Sequence, residues 1–320
     1  MASSTTPEAP EARETLRLAA VTLVWLACAR YLESLGNALV PDAWKVKIQL
    51  QTFLIACQIT MAAVGLGLAF ALLARPRDAI ALVRPRARGV AVAALLGPAA
   101  YVGSAAVAFQ VALPTLLAEL QERGTQAPRQ DAGELGRMLQ QGPTLATLIW
   151  GVVLAAISEE LLFRGALWSL VARVAGHLDR ARPEAPEAAR GRLRAAVPAI
   201  AATVVSAVAF SAMHANLAAG VGILRVVSTL CLGLACGAAR GATGALAAPI
   251  AVHLINNVLS LAPARGWFGR DLHPVADWLP VPSVVVGLAV AGAAAAAVVL
   301  VGSTIVRRRA ERDRALRLEG

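Results

Sequence analysis

TLATLIWGVVLAAISEELLFRGALWSLVA, residues 144–172, is apolar and long enough to cross a bilayer, apart from Glu159, Glu160 and Arg164 near its middle. On insertion scales each charged side chain at a helix centre costs roughly 2.5 to 3.5 kcal/mol. Three of them nearly cancel the gain from the surrounding Leu, Val, Ile and Ala unless they face a protected polar interior. An ionisable cluster in that position marks a functional site. Residues four apart on an α-helix lie within about 40° of one another, and residues five apart about 140°. Glu160 and Arg164 therefore share a face, in the favourable acid-first order, and are expected to form a buried ion pair that holds geometry. Glu159 points elsewhere and is left for proton chemistry, where a carboxylate can take a proton from water. The competing reading is that all three charges only lock helices together.

The rest of the chain places this segment in a membrane. Of the 320 residues, 58% are hydrophobic and only 16% charged, against about a quarter charged in an ordinary soluble domain. About 20 apolar residues span the hydrocarbon core, and eight candidate helices meet that measure: 16–39, 50–74, 89–113, 144–172, 195–215, 217–239, 243–261 and 281–306. The fold class is all-α, a polytopic integral membrane bundle of about eight transmembrane helices. Two candidates are imperfect. The first holds Arg30 and Glu33, spaced to pair on one face, and the sixth holds Arg225, which can snorkel to the interface. Without Arg225 the sixth is too short to span untilted, so the count stands at seven or eight.

The net charge of +10 does not indicate a nucleic-acid partner, because the basic residues fall in short connectors and the C-terminal tail. Arginines crowd the connectors at 75–88, 173–194 and 240 and the tail at 307–317; the opposite connectors hold few. Both termini are thus expected on the cytoplasmic side. Residues 1–14 are expected to be a disordered tail without signal-peptide character. Residues 15–143 hold the N-terminal helices and a polar connector, 144–262 a core, 263–306 a connector and the last span, and 307–320 a basic cytoplasmic tail. Cys28, Cys57, Cys231 and Cys236 lie in apolar segments without a CxxC pair, and are expected to be small buried hydrophobes.

Two further polar constellations lie on the helices after the first. Phe210 and His214 are four apart at the end of the fifth segment. His253 and Asn257, in the run HLINN, share one face of the seventh and must look inward or pair across helices. His177 and His273 lie in polar connectors and receive no role. Two carboxylates, an arginine, two histidines and an asparagine suffice for a hydrolytic centre. A carboxylate can activate water while imidazole and amide groups stabilise an oxyanion, or two histidines and a carboxylate can hold zinc. Spacing does not choose between these, and the HExxH helix of many zinc proteases is absent.

The order EExxxR, FxxxH, HxxxN, each on a separate membrane helix, resembles the CPBP family of intramembrane proteases. That family includes the type II CAAX prenyl endopeptidases of the Rce1 kind and bacterial Abi and bacteriocin self-immunity proteins. The resemblance covers 144–261 and rests on Glu159, Glu160, Phe163, Arg164, Phe210, His214, His253 and Asn257, with GLACGAARGATGALAAPIAVH (233–253) similar to the Gly-rich helix and turn before the third motif. It implies a membrane-embedded (metallo)endopeptidase acting on a membrane-anchored or lipidated peptide, in a bacterial plasma membrane. Glu159 would be the water-activating glutamate, and His214, His253 and Asn257 its stabilising or metal-coordinating partners, supported by Glu160 and Arg164. Zinc on His214, His253 and Glu159 is one alternative, and a metal-independent glutamate mechanism the other. The arginine pattern places His214 toward the non-cytoplasmic end, whereas eukaryotic relatives act on cytosolic prenylated tails. The rival functions are a non-catalytic immunity or scaffold protein and a proton-coupled transporter; the absence of internal repeats argues against the transporter.

Overall fold

The computed structural model describes residues 8–39, 50–123, 144–180, 192–215 and 220–264. Among these, all regular structure is helical, as a chain in lipid requires: each backbone N–H and C=O must be satisfied within its own segment. We number the helices α1 (Glu8–Leu39), α2 (Leu50–Leu72), the single turn α3 (Pro76–Ala79), α4 (Ala87–Arg123), α5 (starting at Thr144 and ending at Arg180), α6 (Arg192–Met213), α7 (Gly220–Thr243) and α8 (Ala247–Ala264). Four stretches within them are long and apolar enough to cross a membrane, Ile55–Leu72, Gly89–Val107, Ala196–Met213 and Arg225–Thr243, which places the chain among integral membrane proteins. The charge-bearing helices α1 and α5 are not among the four. The expected eighth span, 281–306, lies outside the described residues, as does the side chain of Glu33.

Several boundaries differ from the sequence expectation. α1 starts at Glu8, inside the segment expected to be disordered. The run EAPEARETLR is rich in the strong helix formers Glu, Ala and Arg, and the Glu14 carboxylate accepts the Ala74 N–H at 3.2 Å. α5 runs to Arg180, well past Ala172 into the expected connector. α7 has 24 residues, which removes the doubt over its length, and Arg225 is exposed.

The described residues fall into two compact units, one within Met1–Val83 and Gln141–Ser206, the other within Arg84–Gln140 and Ala207–Gly320. In the first, α5 packs on α1 and α2. α1 turns Leu18, Val21, Thr22 and Trp25 inward, each 1% exposed or less. Their i, i+3, i+4, i+7 spacing is the stripe of a helix with one protein-facing side. Leu16, Leu23 and Val24 on its other faces are exposed, as suits contact with lipid. Thr22 returns its hydroxyl to the Leu18 carbonyl at 2.8 Å, which satisfies that hydroxyl inside the packed stripe. The indole N–H of Trp168 on α5 donates to Thr203 on the first part of α6 at 3.2 Å.

In the second unit α4 packs along both α7 and α8. Small residues make this possible, since Gly233, Gly237 and Ala239 on α7 are buried and let backbones approach closely. Gly97 on α4 faces α8 so tightly that a methyl there would stand 2.8 Å from the Ile255 side chain. α7 ends in a left-handed glycine, Gly244 at φ +71, whose N–H returns to the Arg240 carbonyl at 2.9 Å. The Thr243 hydroxyl donates to the Ala239 carbonyl at 2.7 Å. This cap turns the chain into α8, where Pro249 sits in the first turn and gives up no helical bond.

Candidate active site

α5 is not a uniform α-helix. It alternates α turns (Thr144–Thr147, Ala155–Glu160, Trp168–Arg180) with two π-helical stretches, Leu148–Leu154 and Leu161–Leu167. The N–H of Ala155 reaches the Trp150 carbonyl and that of Trp168 reaches Phe163, each five residues back. Such wide turns are rare and concentrate at functional positions. Glu159 and Glu160 occupy the short α stretch between them, and Arg164 lies in the second π stretch. Glu160 Oε1 accepts from Arg164 Nη1 at 2.9 Å, with both side chains fully buried. The expected ion pair is therefore present in the first unit. Glu159 is half-buried, so the two adjacent carboxylates have different surroundings.

The second unit holds the histidines. Phe210, 1% exposed, lies in the last turn of α6 with its ring centroid 4.5 Å from that of His214 and 5.6 Å from that of His253, the latter edge-on. His253 is buried and His214 and Asn257 are half-buried. α6 is fastened to α7 beside this cluster: the Ser211 hydroxyl donates to the Val226 carbonyl at 2.6 Å, and the Thr229 hydroxyl approaches Ser211 Oγ at 3.4 Å. Ser211 was not singled out from the sequence, and only its four-residue offset from the next α6 helical turn could have hinted at an inward face. Replacing it with Ala is expected to lower stability by about 0.6 to 1.7 kcal/mol, the range for interhelical hydrogen bonds in membranes. Thermal unfolding in detergent checks this.

The depth of the histidines follows from the second unit's own packing. Gly89 at the start of α4 adjoins Thr243 at the end of α7, so the arginines before α4 and Arg240 gather at one end of that unit. His253 lies about 9 Å of helix beyond Ala247 from that same end, at 1.5 Å per residue. Through Phe210, His214 belongs near that level. The arginine pattern placed His214 toward the non-cytoplasmic end; within the second unit the last turn of α6 is packed beside the first half of α8 through Phe210 and His253.

Two buried residues acquire significance only in the structure. Cys236 is 0% exposed and donates its thiol to the Pro249 carbonyl at 3.7 Å. Arg240, read from sequence as a topology charge, is 8% exposed. Within the second unit the buried Cys236 thiol and His253 imidazole have their donor atoms within 4.8 Å of one another. Of these two, only His253 belongs to the set Glu159, His214 and His253 taken from the resemblance.

A polytopic helical protein with a buried carboxylate–arginine pair and buried imidazole belongs to the class of membrane proteins that keep ionisable chemistry away from lipid. Within that class, residues 141–259 match the family described as type II CAAX prenyl endopeptidase Rce1-like. The match covers 119 of the 320 residues, a stretch similar to an Rce1-like domain of the CPBP family. No curated protein matches the chain. No solved structure matches it either.

Proposed function

We propose that the protein is an intramembrane endopeptidase that hydrolyses a peptide bond in a membrane-anchored substrate, of the prenylated CAAX kind or a related lipidated or membrane peptide. The observation that carries this reading is the withdrawal of all three motifs from the surface inside the matched domain: Glu160, Arg164, Phe210 and His253 are each 3% exposed or less. Residues kept only for solubility or topology would not be buried at such cost.

In this reading the Glu159 carboxylate takes a proton from water, and the hydroxide so formed attacks the scissile carbonyl carbon. The carbonyl π electrons move onto oxygen, and His253 and Asn257 stabilise that oxyanion by hydrogen bonds. Collapse of the tetrahedral species breaks the C–N bond, and the amine leaves with the proton that Glu159 had taken. Glu160 and Arg164 hold α5 in shape. Both termini lie on the cytoplasmic side in this arrangement, and the peptide enters from the arginine-rich end of the second unit, next to His253.

The S and N donors of Cys236 and His253 in the second unit are of the kinds zinc takes. A zinc ion there would supply Lewis acidity toward the carbonyl oxygen. Loading the purified protein with cobalt is expected to produce a thiolate-to-metal absorption band that disappears in Cys236→Ser. Elemental analysis showing less than a tenth of an equivalent of any transition metal, with full activity, would instead establish the metal-independent route.

The function itself is tested with the full chain in nanodiscs and a fluorescent farnesylated CAAX peptide, the product identified by mass spectrometry. Cleavage supports the proposal. Saturable peptide binding without any cleavage would favour the non-catalytic immunity or scaffold alternative, and proton-coupled uptake in proteoliposomes the transporter.

A further inference from the structure

The connector after α2 reads in the sequence as a run of topology arginines, but it folds back into the first unit as a strap. Its base is tied to α1, where the Ala74 N–H meets the Glu14 carboxylate at 3.2 Å. Arg75 and Pro76 open the single turn α3, with the Ala79 N–H bonded to Arg75 O at 2.9 Å and the Ile80 N–H to Pro76 O at 3.1 Å. The turn closes with the Leu82 N–H on Arg77 O at 2.7 Å and the Ala81 N–H on Asp78 O at 3.2 Å, the pair of bonds that defines a Schellman cap. That cap needs a left-handed residue, usually glycine, and here Ala81 takes the place at φ +60. A non-glycine residue persists in that region only where its surroundings hold it, and such positions gather at functional sites. Arg75, Arg77 and Asp78 stay exposed, whereas Ala79, Ile80 and Ala81 are 4%, 0% and 2% exposed.

The buried tip of the strap meets Gly165. A methyl group added there would stand 3.4 Å from the Ile80 carbonyl oxygen and 3.5 Å from Ile80 Cβ, with the Glu160 carbonyl next at 3.8 Å. Ile80 therefore fills the space into which a side chain at 165 would project, directly after Arg164 and inside the π-helical stretch Leu161–Leu167. Wide turns of this kind are rare, and this one carries half of a fully buried ion pair, Arg164 Nη1 to Glu160 Oε1 at 2.9 Å.

We infer that Ile80 is a positioning residue: seated on Gly165, it holds the π-helical stretch of α5 in place, and through it the Glu160–Arg164 pair and the adjoining Glu159 carboxylate. The inference rests on the proposed hydrolytic reading only for the reaction being served. Glu159 needs a fixed pose, because a reacting group displaced by about 1 Å can lose about 100-fold in rate. Gly165 is the trace of this seat in the sequence: a methyl would fall at ordinary contact distance from Ile80, and a longer side chain must push the strap away.

The test reads the backbone and the reaction separately. Full-length protein in nanodiscs is followed by amide hydrogen exchange with mass spectrometry over residues 79–83 and 161–168, which reports local opening, beside steady-state cleavage of a farnesylated CAAX peptide. Ile80→Ala is expected to lose protection across 161–168 and to lower kcat by up to about 100-fold with KM unchanged. Ile80→Val is expected to restore both, Gly165→Ala to resemble wild type, and Gly165→Leu to reproduce Ile80→Ala. Wild-type exchange and kcat in Ile80→Ala overturn the inference, and so does a loss of kcat with protection intact. The same losses in Leu96→Ala, which truncates a leucine 6% exposed in the second unit, would also overturn it, since the effect would then be a general loosening. If Ile80→Ala does not fold, the wild type decides: on heating, 79–83 and 161–168 are expected to open together as one cooperative unit, and separate openings overturn the inference. A wild type without peptidase activity strikes the proposed function alone and leaves the exchange data to decide this inference.

Discussion

Glu159→Gln is expected to abolish peptide cleavage while leaving the thermal unfolding curve of the protein within about a degree of wild type. Glutamine is nearly isosteric with glutamate but cannot take a proton from water at neutral pH, and loss of a positioned general base typically costs about 10²- to 10⁴-fold in rate. The structure gives a reason to expect no matching loss of stability. Glu159 is half-buried while Glu160 is fully buried in the ion pair with Arg164, so the change at 159 leaves that pair in place. A single-turnover assay with farnesylated peptide, run beside the unfolding curve, separates catalysis from folding. Wild-type turnover in the variant would remove Glu159 from the mechanism.

The opposite pattern is expected one residue further on. Glu160→Ala strands the Arg164 guanidinium in a fully buried position, and breaking a buried pair by removing one partner costs about 3 to 5 kcal/mol. Arg164→Met alone strands the carboxylate and is expected to cost a similar amount. The double variant Glu160→Leu with Arg164→Met replaces both charges by apolar groups of comparable size and is expected to recover most of that loss, because buried pairs repay little beyond their own desolvation. A double-mutant cycle in detergent, read by denaturant or heat, measures the coupling. Additive losses would mean that the 2.9 Å contact contributes nothing of its own, and that the charges serve some other partner.

These two adjacent glutamates also show how far the primary structure could be read. Four-residue spacing was enough to pair Glu160 with Arg164, because one helical turn separates them and lipid leaves a charge few other places to go. The same periodic reasoning recovered the helical class, the membrane setting and the inward face that carries His253 and Asn257. It gave no sign of the π-helical stretches Leu148–Leu154 and Leu161–Leu167 in α5, which insert extra residues into the turn. No local propensity signals such a stretch. The N-terminal boundary failed for a simpler reason: Glu8 to Glu14 is polar, which suggests a tail, yet its residues are good helix formers and continue the helix behind them.

Amino-acid order by itself determined that the chain is helical, lies in a membrane and carries three polar motifs within a stretch similar to an Rce1-like domain, because hydrophobic length and helical repeat are properties of short segments. Only the tertiary structure decided that Phe210 stands between two imidazoles, and that Cys236 and Arg240 are buried. Those outcomes depend on which faces of distant segments are pressed together, and that is not written in the spacing of any one segment.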